Sequence, residues 1–369
     1  MSRPLIADID LDALRHNYRL AAGLAPGSLS VAVLKADAYG HGAVACARAL
    51  SGEAPMFAVA AIEEAVALRE AGIEEPIVLL EGIFSADELA QVEALGLGMA
   101  IHSDWQLEAA LARRPARPIP VWLKVDSGMH RLGFPPERAE AAWRALEAAP
   151  ECVCDLHLMS HFATADSTDA GYFQRQRECI VALAERLDAP TCLANSPSIL
   201  AQPSAHGAIN RPGVMLYGSD PLEVANSASQ QLAPVMSLRS EIIAVRELPA
   251  GEPVGYGGRF VTSRPSRIGV VACGYGDGYD RHAVDGTPVL VDGKRTHVAG
   301  KVSMDMMTVD LSELPEAGIG NEVVLWGRSR HGGVLSVDEV ARFCDTISYT
   351  LLTGVLPRVP RRYNGAVSD

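Results

Sequence analysis

A chain of 369 residues is long enough for about two domains. Its apolar fraction of 48% and charged fraction of 21% exclude disorder and fibrous repeats, and no apolar run is long enough to predict a transmembrane helix. A net charge of −13 without a basic block argues against nucleic acid and anionic membrane as partners.

In chain order, the opening MSRPLIADIDLDALRHN has no apolar signal core, which predicts a cytoplasmic protein. IADI reads as a strand ahead of a helix beginning at Leu11. Short apolar runs then follow at 29–38, 56–62, 76–82, 98–103, 119–128, 153–162, 191–196 and 208–218. Amphipathic helical stretches such as IEEAVALREAG, PPERAEAAWRALEAA and FQRQRECIVALAERL lie between them. Eight strands alternating with helices predict an α/β protein with an N-terminal (β/α)8 TIM-like barrel. The alternative, a doubly wound open sheet, lacks its G-x-G-x-x-G turn after the first strand. Past the polar segment NSASQQLAP the runs become β-rich, so residues 8–228 read as the barrel and 229–369 as a C-terminal mostly-β domain, with residues 1–7 pairing with the latter. Seven scattered cysteines, an odd number, predict reduced thiols, and Cys152 and Cys154 on one strand face read as core.

Chemistry concentrates at strand ends. A period of two puts Val31, Val33 and Lys35 on one face, with Lys35 at the barrel mouth. A lysine there either forms a salt bridge or lowers its charge through a depressed pKa or a Schiff base. Tyr39 follows in a Tyr-Gly-His-Gly turn. Strand seven ends at Asn195-Ser196 and strand eight carries Asn210-Arg211-Pro212-Gly213-Val214, where barrels of this kind often bind phosphate. Each piece alone is an ordinary turn, whereas a lysine on strand one with a phosphate cup on strands seven and eight is the layout for pyridoxal phosphate. Lys124 lies inside strand five and Arg131 in the loop after it, where it reads either as a surface arginine or as a carboxylate binder. His157 and His161, four residues apart along a strand, are too distant for one metal. His157 reads as core and His161, at the strand end, as a site residue. In the second domain the glycine-rich run CGYGDGY surrounds Tyr275, and VSMDM carries Met304.

These motifs together resemble the alanine racemase family of fold-type III pyridoxal-phosphate enzymes, nearly end to end: AVLKADAYGHG, KVDSGMHRLGF, LMSHFATAD, ANSPS, NRPGVMLYG, CGYGDGY, GKVSMD and RVPR. The resemblance implies a homodimer that interconverts L- and D-alanine, for peptidoglycan or for alanine catabolism. It implies that Lys35 carries pyridoxal 5′-phosphate and is one of two catalytic bases, with Tyr275 the second, donated across the dimer interface. Tyr39, Ser196, Gly213 and Val214 match phosphate contacts, Arg211 the partner of the pyridine nitrogen, and Arg131 and Met304 substrate contacts. His161 matches a residue linking the arginine and the tyrosine, and Lys124 a position that can be carbamylated. Two positions depart from the pattern of some members. Pro357 stands where they have a phosphate-binding tyrosine, and Cys192 where they have histidine.

Overall fold

The computed structural model describes residues 3–365. They form two compact units, one of residues 14–38 and 43–232 and the other of 3–13, 39–42 and 233–365.

The first unit is a closed parallel barrel. Its strands are Leu29–Ser30 with Ala32–Val33, then Phe57–Val59, Ile77–Leu79, Leu97–Ile101, Ile119–Lys124, Val153–Met159, Thr191–Cys192 and Ile209–Asn210. Each pairs in parallel with the next. Closure falls on the first strand, whose backbone serves both neighbours in alternation. Leu29, Val31 and Val33 donate to Ala208, Asn210 and Pro212, whereas Ala32 and Leu34 donate to Met56 and Ala58. Runs of small and branched residues on both faces suit strands buried on both sides. Pro120 cannot donate to the ladder. Around it the register shifts, and the neighbouring strand takes up an extra residue at Asp155, whose φ is 45°. Beyond this bulge Trp122 aligns with His157, and their rings stack at 5.5 Å.

The run at 29–38 predicts a strand reaching Lys35, but the strand stops at Val33 and residues Lys35–Gly40 coil into a left-handed helical turn. Ala36, Asp37, Ala38 and Tyr39 have φ of 52–53°, and Gly40 has φ of 80°. For L-residues this conformation costs roughly 1–2 kcal/mol each, so neighbours must hold it. Glu64 Oε1 accepts from the Ala36 N–H at 2.6 Å, Asp37 Oδ1 accepts from Ala43 N–H at 2.7 Å, and Ala38 N–H reaches back to Leu34 O at 2.8 Å. The second Glu64 oxygen accepts from Ala60 N–H at 2.7 Å, so one carboxylate ties the turn to the end of the second strand.

The second unit is built on the 13-residue strand Met236–Leu248. It pairs antiparallel with Ile6–Asp10, Glu322–Arg328 and Ser266–Val271, and Ile6–Asp10 also runs parallel to Arg361–Asn364. Asp8, 4% exposed on the first of these strands, is surrounded by Arg239 and Arg362 from two others and by Arg330 from the turn after Glu322–Arg328. All seven cysteines are free; the Cys152 and Cys154 thiols meet the carbonyls of Arg113 and Pro118. Among the described residues no helix is long and apolar enough to cross a membrane.

Candidate active site

Strand ends in the barrel unit bring together Lys35, Lys124, Arg131, His161 and Arg211, which act on one another electrostatically. Burial lowers the pKa of Lys35. Glu81 opposes that shift, as does Glu64, while Arg131 and Arg211 add to it. Lys124 is 8% exposed, and burial, assisted by Arg211 and Arg131, lowers its pKa to about 8. His161 is held well below its ordinary value by burial and then by the same cations, so its ring is neutral. So much positive charge among half-buried and buried groups favours an anionic ligand.

Arg211 is 7% exposed and locked in place. Its Nη1 donates to Cys192 O at 2.5 Å and Cys192 Sγ at 3.1 Å, and its Nη2 to Ser160 O at 2.8 Å and Leu193 O at 3.2 Å. These bonds occupy both ends of the fork and leave Nε–H as the remaining donor. His161 is not among these acceptors; its Nε2 lies 3.5 Å from Asn195 Nδ2. Arg131 is exposed in a loop shaped by Asp126, which accepts from Gly128 N–H at 3.0 Å and His130 N–H at 2.9 Å.

Ser196, Gly213 and Val214 form a single cup. Asn195 caps the short helix Ser196–Ala201 through Ser198, and Ser196 Oγ accepts from Gly213 N–H at 2.9 Å and Met215 N–H at 3.3 Å. Val214 begins the 3₁₀ turn Val214–Tyr217 and is 1% exposed, yet its N–H has no acceptor among the described residues. A buried orphan donor of this kind is rare and marks a place for an acceptor from outside the chain. Ala194, Ile199, Leu200 and Met215 pack beneath the cup and fix its shape. The donor set, a buried hydroxyl and backbone N–H groups near a lysine of lowered pKa and a fixed arginine, fits a phosphorylated pyridine aldehyde.

In the other unit, Tyr275 sits on a 3₁₀ turn, Tyr275–Asp277, with its N–H donating to Ser303 O at 3.0 Å, while Gly276 N–H donates to Met304 O at 2.8 Å. A Cβ at Gly274 would lie 2.3 Å from Ser303 O, and one at Gly278, where φ is 98°, would lie 1.9 Å from Gly354 O. The glycines of CGYGDGY therefore serve close backbone approach. Met304 is 55% exposed. Tyr39 belongs to this unit as well, packed on Tyr349 at 5.9 Å between ring centroids.

Sequence reading missed Glu64 and Glu81, which both act on Lys35. Glu81 follows a barrel strand by two residues, the position where such barrels carry function. Glu64 lies inside a helix and gave no such signal.

A closed parallel barrel whose strand ends gather lysines, arginines and an anion cup has the layout of an α/β-barrel enzyme whose site takes a phosphate or carboxylate group. Family models agree in detail: the alanine racemase N-terminal domain matches residues 9–221 and the alanine racemase C-terminal domain matches 235–363. An alanine racemase of Chromohalobacter salexigens is 71% identical over 366 residues, 99% of each chain. The crystal structure of a biosynthetic alanine racemase from Pseudomonas aeruginosa superposes with a TM-score of 0.94 at 49% identity, over 98% of this chain and 100% of that one. An alanine racemase from Bartonella henselae with covalently bound pyridoxal phosphate superposes with a TM-score of 0.86 at 28% identity, over 98% and 99%. The chain belongs to the alanine racemase family and is an amino-acid racemase.

Proposed function

We propose that the barrel mouth of this racemase holds pyridoxal 5′-phosphate and that Lys35 and Tyr275 are the two bases that interconvert L- and D-alanine. The observation that carries this reading is the orphaned N–H of Val214 in the same barrel unit as the burial-lowered lysine Lys35. Ser196, Gly213 and Val214 would hold the phosphate, with Tyr39 adding a hydroxyl. Bound there, the cofactor supplies an electron-accepting ring that acidifies the substrate Cα–H.

Racemisation takes the Cα proton from one face and returns it on the other. One base would have to swing around the substrate, so two bases on opposite faces are simpler. Lys35 serves one face because it also holds the cofactor, and burial lowers its pKa in the direction that favours the neutral amine a base needs. Arg211 has only donors, so its remaining Nε–H would hold the cofactor's ring nitrogen as an acceptor and keep that nitrogen unprotonated. Arg131 and Met304 would contact the substrate, His161 would stay a neutral neighbour of the cations, and carbamylation of Lys124 would replace a buried positive charge with a negative one.

The same reading makes the enzyme a cytoplasmic homodimer, the barrel of residues 8–228 carrying the cofactor and the partner subunit's Tyr275 completing the site from its 229–369 domain. Its D-alanine would serve peptidoglycan or its L-alanine catabolism. The test uses the chain's four lysines, at positions 35, 124, 294 and 301. Borohydride reduction of the cofactor-loaded enzyme followed by peptide mass mapping should find the pyridoxyl adduct on Lys35 and none in Lys35→Ala. An adduct on another lysine of the native enzyme would overturn the assignment.

A further inference from the structure

The turn that carries Tyr275 is fastened by charges from both ends of the chain. Asp277 has no side-chain exposure, yet it is a carboxylate two residues from the tyrosine. A buried carboxylate needs several donors, and Asp277 has them. Gly274 N–H donates to its Oδ2 at 2.9 Å, which closes the turn around Tyr275. Arg3 donates to both carboxylate oxygens, the Nη2–Oδ2 bond measuring 2.7 Å, and its Nη2 also donates to Asp305 O at 3.0 Å. Arg358 donates from Nε to Asp277 Oδ1 at 2.6 Å and from Nη2 to Asp305 Oδ1. The two guanidinium groups therefore bridge the turn at 274–278 and the loop at 303–305, whose carbonyls already accept from Tyr275 N–H and Gly276 N–H. The hydrogen bonds from Arg3 and Arg358 hold Asp277 below the usual carboxylate range against the opposing effect of burial.

We propose that Arg3 is a positioning residue for Tyr275: its fork on Asp277 and Asp305 fixes the backbone turn from which the tyrosine reaches the substrate. Arg3 is 274 residues away from Asp277 in the chain, and its own side chain is 37% exposed. Its loss should therefore leave the fold intact while loosening one turn. A planar fork is needed, because a lysine offers a single point charge and cannot meet two carboxylate oxygens and a carbonyl together. The inference rests on the reading of Tyr275 as the base that acts on L-alanine.

That dependence supplies the test. Deuterium uptake at Cα from heavy water is followed separately for L- and D-alanine, in the native enzyme, Arg3→Ala, Arg3→Lys and Tyr275→Phe. A displaced tyrosine should slow uptake by L-alanine about 10-fold or more while uptake by D-alanine, served by Lys35, changes little. Arg3→Lys should fall between native and Arg3→Ala, and ethylguanidinium added to Arg3→Ala should restore part of the loss. Thermal unfolding of the Arg3 variants should stay cooperative and fall only modestly, because Arg358 and Gly274 N–H still serve Asp277. If Tyr275→Phe is selective for L-alanine but Arg3→Ala slows both enantiomers equally, or neither, the positioning role is overturned and the base assignment stands. If Tyr275→Phe itself slows both equally, the base assignment fails and this inference fails with it.

Discussion

Glu64 and Ala36 are joined by a hydrogen bond of 2.6 Å, from the residue after Lys35 to a carboxylate on the helix Ile62–Glu70. Through this bond the left-handed turn, the lysine and the end of the second barrel strand move as one piece. The same carboxylate raises the pKa of Lys35 against the effect of burial.

Glu64→Ala should therefore act on both stability and proton transfer. Ala36 and Ala60 N–H groups, one exposed and one half-buried, would lose their shared acceptor, at a cost of about 1 kcal/mol, measurable as a lower urea midpoint. With its carboxylate gone, Lys35 should titrate at a lower pH, so the acidic limb of the pH–rate profile, where Lys35 must lose its proton to act as a base, moves down. Glu64→Gln keeps an acceptor without the charge and should recover stability more than it recovers the pH profile.

Lys124 makes a second prediction, with a definite sign. Its pKa falls to about 8 on folding from a reference of 10.5, so between those values the unfolded chain binds more protons than the native one. Stability then rises with pH across that window, and below about pH 8 the buried amine costs roughly 3 kcal/mol. In buffer free of carbon dioxide, Lys124→Met should be more stable than native at pH 7, with the advantage shrinking towards pH 10.5. Bicarbonate should stabilise the native protein and leave Lys124→Met unchanged, since only a neutral amine forms a carbamate. A native protein indifferent to bicarbonate would count against modification at this position.

Assembly gives the third prediction. Lys35→Ala and Tyr275→Phe should each be nearly inactive alone. If each site takes Lys35 from one subunit and Tyr275 from the other, exchange between them makes about half the dimers mixed. Each mixed dimer has one intact site, and roughly a quarter of native activity should return. No recovery, with exchange verified by differently tagged chains, would mean that each barrel uses its own tyrosine.

Much of the barrel was legible because its strands are short apolar runs at regular spacing and its chemistry sits at their ends. Lys35, Ser196 and Arg211 are read from the sequence by asking which polar residues follow such runs, and Gly213 and Val214 by where a strand-end backbone is left open. The left-handed turn cannot be read in this way. Ala36, Asp37 and Ala38 carry no glycine signal, and their own preference is for right-handed helix. Contacts from Glu64 and the Asp37–Ala43 bond override it, and a residue 28 positions away leaves no local trace. Arg3 was hidden for the same reason at far greater separation. In place of the expected link from His161 to Arg211, three carbonyls and the Cys192 thiol take the two terminal nitrogens of the guanidinium, and only Nε–H is left over.

Barrel closure has a consequence in time. The first strand joins Leu29 to Ala208, and Lys35 ends that strand's path. During synthesis, at roughly 5–20 residues per second, roughly 10–35 seconds separate the appearance of Lys35 from that of Arg211. Through that interval the lysine is an ordinary, protonated, hydrated side chain on an open edge. The burial that lowers its pKa comes only with the folded barrel, so a nascent chain carries this amine at its ordinary basicity.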